Sequence, residues 1–283
     1  MKNNRKYHKV YFSIPAAAVL AVLCILIAWP APTCGAKTPK AAVSSEPSSS
    51  PYSQGNTGPD AAQLVKAADE ALVRDTAIYT MKMIEYKKEK VDKEYTIEVW
   101  IKGNDKTIIR FLEPPRERGR AILMNGDDMW MYLPDVNRSM RVSPKARMMG
   151  TDFSNADVAN MRLLDDYSAR MIGPDTLDGG AQGYKLELKR RHSKAVYDRI
   201  LYWIGLDHNL PLRREFYVIS GKLLKTLSYS EPCEVSGRLI PRRWTMESAL
   251  SKDKKTVMTT EKVIWSPEID DTLFTQGQLS RWQ

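Results

Sequence analysis

Apolar and polar positions follow several distinct regimes along this chain. In DAAQLVKAADEALVRD, from Asp60, residues Ala61, Leu64, Val65, Ala68 and Leu72 recur at helical spacing and Asp60 is placed to cap the first turn. The spacing predicts one amphipathic helix with a single apolar stripe. Beyond Thr76 the period falls to two. In YTIEVWI, Tyr95, Ile97, Val99 and Ile101 share one face while Thr96, Glu98 and Trp100 share the other. Gly103-Asn104-Asp105 reads as a turn, and TIIRFLE resumes with Thr107, Ile109 and Phe111 on one side. Similar strands are predicted at 119–125, 128–133, 183–190, 197–204, 212–219, 222–229, 240–249 and 256–265, separated by Asn, Asp, Gly and Pro. That makes about ten antiparallel strands at hairpin spacing, with no alternating helices of βαβ length, so the pattern predicts a curved sheet or partial barrel. Two segments break the rhythm, 143–161 and 269–279. Both read as helical or loop-like, and with the first helix they are expected to cover one face of the sheet.

The chain before Asp60 follows a different pattern. Residues 1–9 carry Lys2, Arg5, Lys6 and Lys9 with no acid, and an apolar run from Val10 to Trp29 follows, interrupted only by Ser13 and Pro15. Positive then apolar is the order of an export signal, and a peptidase could cut after Ala36. The run is also close to bilayer-spanning length, which leaves an uncleaved anchor as an alternative. A third fate, lipidation of Cys34, is disfavoured by Ala31, Pro32 and Thr33, which make a poor lipobox. Residues 37–59 hold six Ser, four Pro and two Gly with almost nothing to bury, and read as a disordered linker. The expected organisation is an export signal or anchor over 1–36, a linker over 37–59, and one domain over 60–283.

Composition narrows the chemistry. The 283 residues are 43% hydrophobic, enough to fill a sizeable core, and the net charge of +9 favours anionic partners. Of three cysteines, Cys24 and Cys34 fall in the leader, so Cys233 is expected to be a small buried residue. His192 and His208 are the histidines beyond the leader, too few for a triad or a multi-histidine metal site, and both read as surface residues. No GxGxxG, phosphate loop, HExxH or GxSxG occurs. The acid pairs Asp127-Asp128, Asp165-Asp166 and Asp270-Asp271 read as solvated turns, although a carboxylate-pair hydrolase stays open as a minor alternative. Basic clusters such as Lys189-Arg190-Arg191, Arg213-Arg214 and Arg242-Arg243 are dispersed and lack a recognition helix. They read as solvated charge, with a minority facing anionic lipid, and nucleic acid is not expected. Eight of thirteen methionines fall between Met124 and Met171. Methionine suits a soft core and equally a surface that accepts varied apolar ligands.

The stretch from Phe111 to Asn160 resembles the outer-membrane lipoprotein-sorting protein family, in its LolA-like branch. The resemblance rests on the Phe-Leu-x-Pro-Pro strand end, Arg118-Gly119, the run from Asp128 to Pro134, Arg141-Val142-Ser143-Pro144 and the run from Met149 to Ser154. Later pieces add Leu210-Pro211-Leu212-Arg213, Gly237 to Pro241, Thr259-Thr260, Leu273-Phe274-Thr275 and Leu279-Ser280-Arg281. It implies a mainly β fold, an incomplete antiparallel barrel of the LolA/LppX/RseB type, whose helices cover a hydrophobic concave face. It also implies a non-enzymatic carrier in a Gram-negative periplasm, exported and free or tethered to the inner membrane, that holds acyl chains of lipids or lipoproteins noncovalently. The alternative is a lipid-sensing regulatory module controlling a membrane partner. On the carrier reading the acyl chains are lined by Ile97, Val99, Ile109, Phe111, Leu123, Met129, Met131, Met148, Met149, Phe153, Phe216 and Trp244. Arg141, Lys145, Arg147 and Gly150 form the headgroup site or gate. No metal, cofactor or catalytic residue is expected. The expected partners are the lipid or lipoprotein itself and an inner-membrane transporter or lipoprotein-release complex, with the protein a monomer.

Overall fold

The computed structural model describes residues 59–281 apart from 74 and 160–162. The leader with its two cysteines and the linker through Gly58 lie outside the described residues. Helix α1 (Ala61–Leu72) leads into β1 (Thr76–Lys87), β2 (Lys90–Lys102), β3 (Lys106–Glu113), β4 (Ala121–Asn125), β5 (Asp128–Leu133) and β6 (Arg138–Arg141). After the segment carrying α2 (Asn155–Ala159) come β7 (Tyr167–Thr176), β8 (Gln182–Arg190), β9 (Arg199–Gly205), β10 (Pro211–Tyr217), β11 (Leu223–Val235), β12 (Arg238–Ser248) and β13 (Lys254–Trp265). The strands form one antiparallel sheet in the order β6-β5-β4-β3-β2-β1-β13-β12-β11-β10-β9-β8-β7. Two hairpin meanders thus meet at β1 and β13, which pair from Ala77↔Trp265 to Lys87↔Lys254. The edge strands β6 and β7 do not pair, so the sheet is an open, incomplete barrel.

Thirteen strands stand where the hydropathy pattern delimits about ten. The additional ones are β1, whose alternation was not bounded, and the two edges. β6 is RSMR, too polar to show a buried face, and β7 contains Gly173-Pro174, which reads as a break. An edge strand tolerates that proline because its missing N–H removes no ladder bond, and the register shifts between Met171 and Gly173 to absorb it.

Alternation decides which side chains meet. On the inner, concave face, Tyr79, Met81 and Met83 of β1 pack with Ile97 and Val99 of β2, Ile109 and Phe111 of β3, and Met246 and Met258 of β12 and β13. The register places Ile97 opposite Phe111 and Val99 opposite Ile109. Helix α1 lies over this face and buries its predicted stripe, Ala61, Leu64, Val65, Ala68 and Leu72, while Asp60 accepts from the amides of Ala62 and Gln63. These five positions and the cap are as the spacing predicts.

The closing segment corrects one expectation. Rather than joining α1 on a common face, it covers the other side of the sheet. Ile269, Phe274 and Leu279 bury Ile108, Leu123 and Tyr132. Lys102 Nζ donates to the carbonyl of Ile269 at 2.7 Å, Lys106 reaches Asp271 at 2.6 Å, and Asn125 Nδ2 donates to the carbonyl of Phe274 at 2.9 Å. The outer face of β2–β5 is aromatic and aliphatic for this reason: Trp100, Trp130 and Tyr132 are a docking site for the chain's own C-terminal segment.

Candidate functional site

The lid of the concave face is built from irregular chain. Between β6 and α2 the backbone makes a short 3-10 turn at Met148–Gly150, where Met149 and Gly150 have φ of +53° and +75°. Two successive left-handed residues fold the strap back on itself, so that the Met148 amide donates to the Phe153 carbonyl at 2.8 Å. This turns Met148 and Phe153 inward, where neither is exposed at all. Ser154 opens α2, its amide donating to the Asp157 carboxylate at 2.6 Å. The Thr107 hydroxyl donates to the carbonyl of Ala159 at 2.7 Å, which fixes the other end of α2 to β3.

The strap is held by charge as well as packing. Lys225, on β11, alternates with Leu227 and Tyr229 and so points inward, where it is buried beneath the strap. Its ammonium pairs with Asp157 and donates to the carbonyl of Asp152 at 3.1 Å. The rings of Tyr197 and Phe216 lie 5.4 and 5.7 Å from it. Tyr197 donates to Asp157 at 2.6 Å, and burial together with that carboxylate pushes the phenol's pKa well above its ordinary value. Farther along, Lys93 Nζ donates to the Met149 carbonyl at 3.4 Å and pairs with the fully buried Glu85 at 2.9 Å. A second buried cation secures α1: Arg214 of β10 reaches Asp69 at 3.3 Å and donates to the Tyr202 hydroxyl at 2.8 Å. Burial raises the Tyr202 phenol to about 12, against the opposing pull of Arg214. Both elements covering the concave face are therefore fastened to the sheet through a buried basic side chain.

Two clefts border the strap. One, of about 450 Å³, is lined by Lys145, Arg147, Tyr197, Ile219, Leu224 and Lys225 among others. The other, of about 890 Å³, lies between the strap, the β4–β5 turn and the 193–196 loop, and Met124, Met129, Arg141 and Lys145 face it. Neither holds a cluster suited to a metal ion, and no such cluster of His, Cys, Asp and Glu occurs among the described residues.

An open antiparallel sheet with its concave face capped by a helix and a strap is a recognisable architecture. A family model described as "-like: Uncharacterized protein" matches residues 103–281, and the chain belongs to that family. A LolA superfamily protein from Nitrosomonas europaea has the same fold with a TM-score of 0.70 and 28% identity, over 78% of this chain and 99% of that one. The chain is LolA-like. A putative outer membrane lipoprotein-sorting protein domain from Vibrio parahaemolyticus superposes at 0.66 with 22% identity, covering 78% of this chain and 100% of its own. A DUF1329 family protein from Desulfovibrio piger superposes at 0.70 with 24% identity, over 77% and 97% respectively. No curated protein matches the sequence. Among the described residues, no helix of this LolA-like chain is long and apolar enough to cross a membrane.

The LolA-like fold places the predicted lining as follows. Ile97, Val99, Ile109, Phe111, Met129, Met148, Phe153, Phe216 and Trp244 all belong to the buried cluster of the concave face, with Met131 and Met149 packed against it and partly exposed. Leu123 does not belong with them: it faces the other way, under Phe274 and Leu279, because its register partner is Trp130 rather than Met131. Of the predicted gate residues, Lys145 lines both clefts, Arg147 stands 4.0 Å from Asp152, and Gly150 makes the left-handed turn. Arg141 is exposed, paired with Asp128 and stacked on Trp130 at 5.7 Å. Spacing missed Lys225, Asp69 and Arg214, and it offers Asp157 only as the partner of Ser154 in starting a helix, a contact the structure shows. Arg214 reads as solvated charge in the Arg213-Arg214 pair, but strand alternation puts it with Phe216 on the buried side. A basic residue in phase with apolar neighbours two apart was the available signal.

One buried acid gives the strap a pH dependence. Asp152 is held above its ordinary value of 3.8, chiefly by burial, with Arg147 pulling the other way. An acid with a raised folded value favours the folded state fully below 3.8, and that contribution is lost as pH rises through the raised value. At neutral pH the strap therefore carries an ionised carboxylate at a cost. Asp152→Asn is expected to raise the Tm at pH 7 and to flatten the Tm profile through the acid range, measured by calorimetry against the parent protein. A variant profile parallel to the parent's would show that this carboxyl does not titrate with folding.

Proposed function

We propose that the protein is a noncovalent carrier of lipid or lipoprotein acyl chains in the bacterial envelope, which takes chains onto the concave face beneath the strap. One observation carries the reading: this apolar face is covered by α1 and an irregular strap rather than by a second sheet. A displaceable cover over an aliphatic and methionine-rich surface fits a ligand without fixed shape. The lining would supply affinity, since each methylene withdrawn from water contributes about 0.8 kcal/mol. Lys145, Arg147 and Arg141 stand beside the clefts, where an anionic headgroup would remain near water. In the present closed arrangement the strap residues Met148 and Phe153 occupy the volume that an acyl chain would take. Loading then requires the strap to lift, and the Lys225–Asp157 pair sets the cost of lifting it.

The likeness to a LolA superfamily protein at 28% identity supports the reading, and the export signal or anchor expected over residues 1–36 agrees with it. The periplasm, a membrane-bound donor or acceptor, and a role without turnover belong to this same proposal. Mass spectrometry of organic extracts from the natively purified protein tests it. Stoichiometric acyl lipid is the expected result. Extracts free of lipid, combined with no saturable binding of a fluorescent fatty acyl probe, would contradict it.

A further inference from the structure

Three neighbouring hairpins turn at the same end of the sheet. Lys87 pairs with both Lys90 and Lys254, Lys225 pairs with Ser248, and Tyr217 pairs with Leu223. The tips of β1–β2, β12–β13 and β10–β11 are therefore side by side. Each presents an aliphatic side chain to water: Val91 at 56%, Leu250 at 77% and Ile219 at 77% exposure. Single exposed aliphatics are common on protein surfaces, but these three occupy consecutive tips and each stands beside exposed lysine, Lys88 and Lys90, Lys252, and Lys222 respectively. Of the tips' acids, Glu89 pairs with Lys255 at 2.7 Å, Asp253 accepts from the Ser251 hydroxyl at 2.9 Å, and Asp92 stands exposed beside Val91, so lysines outnumber acids at the tips. Ile219 also lines the cleft that holds Arg147 and Lys225, so the β10–β11 tip forms one lip of that cleft.

We propose that these three tips dock the protein on an anionic lipid bilayer, with the aliphatic side chains inserted among acyl chains and the lysines against headgroups. Exposed aliphatics in a ring of lysine fit that partner: a basic, purely polar surface would suit any polyanion, whereas insertion requires a hydrocarbon phase. The geometry turns the cleft mouth toward the bilayer from which an acyl chain would leave. The purpose assigned to docking rests on the carrier reading, but the docking itself can be measured separately.

The test is hydrogen exchange on the full chain, with vesicles of phosphatidylglycerol or of phosphatidylcholine alone, read segment by segment so that any binding through the leader does not enter. Phosphatidylglycerol vesicles are expected to slow exchange at 88–92, 218–222 and 249–253 by severalfold, while the 206–209 turn at the opposite end is unchanged. An Ile219→Asp/Leu250→Asp variant is expected to lose that protection and keep the parent Tm, because both side chains are already in water. Leu206→Asp, at the far end, is expected to keep it. Absence of protection at the tips, equal protection by both vesicle types, or full protection in the double variant would overturn the proposal. Acyl lipid that still co-purifies with the double variant leaves the carrier reading standing, so the two failures are separable.

Discussion

Lys225→Met is expected to cost about 3–5 kcal/mol of unfolding free energy, the loss typical when one partner of a buried pair is removed. The ammonium is 8% and its partner Asp157 3% exposed at the side chain, so neither charge is compensated by water. Methionine would fill much of the volume but leave Asp157, among the described residues, with the Tyr197 hydroxyl and the Ser154 amide as donors. The Asp152 carbonyl would also lose its donor. Chemical denaturation should show a lower midpoint at unchanged slope. Asp157→Asn added to Lys225→Met should recover a large part of the loss, because the uncompensated charge is then gone. A Lys225→Met variant within about 1 kcal/mol of the parent would match the behaviour of a solvated pair and remove the strap's proposed fastening.

Phe153→Ala is expected to have a comparable effect by a different route. Its ring is wholly buried against the concave cluster, and deleting it leaves a cavity under the strap, a change that typically costs about 3–5 kcal/mol. The two substitutions should part company in ligand binding. Removing Phe153 opens apolar volume where a chain is proposed to lie, so a fluorescent acyl probe should associate faster than with the parent protein. Stopped-flow mixing would measure this. An unchanged association rate in a folded variant would mean that the strap does not limit entry.

Much of this architecture was legible because strand alternation is a local signal. Tyr95, Ile97, Val99 and Ile101 share a buried face as their spacing requires, and Asp60 caps α1. The edges were less legible, since the short polar β6 buries little and Gly173-Pro174 interrupts β7 without ending it. β11 likewise runs on past Tyr229, through Pro232 paired with Pro241, where Ser, Glu and Pro suggest a stop. Which face a cover occupies is not a local property at all. The outer-face residues Trp100, Ile108 and Leu123 are as apolar as the inner ones, and only the path of the chain after Trp265 decides that Phe274 lands on them. The buried cations were hidden for a related reason: Lys225 and Arg214 look like surface charge until Asp157 and Asp69, 68 and 145 residues away, are brought to meet them.

The concave face as an acyl site can be tested by labelling it. A fatty acyl probe with a photoactivatable diazirine in its chain, bound to the natively folded protein and irradiated, should mark peptides containing Ile97, Phe111 and Trp244 saturably, and free fatty acid should compete the label away. Label confined to the exposed tips at Ile219 and Leu250, or label that free fatty acid does not reduce, would contradict carriage beneath the strap.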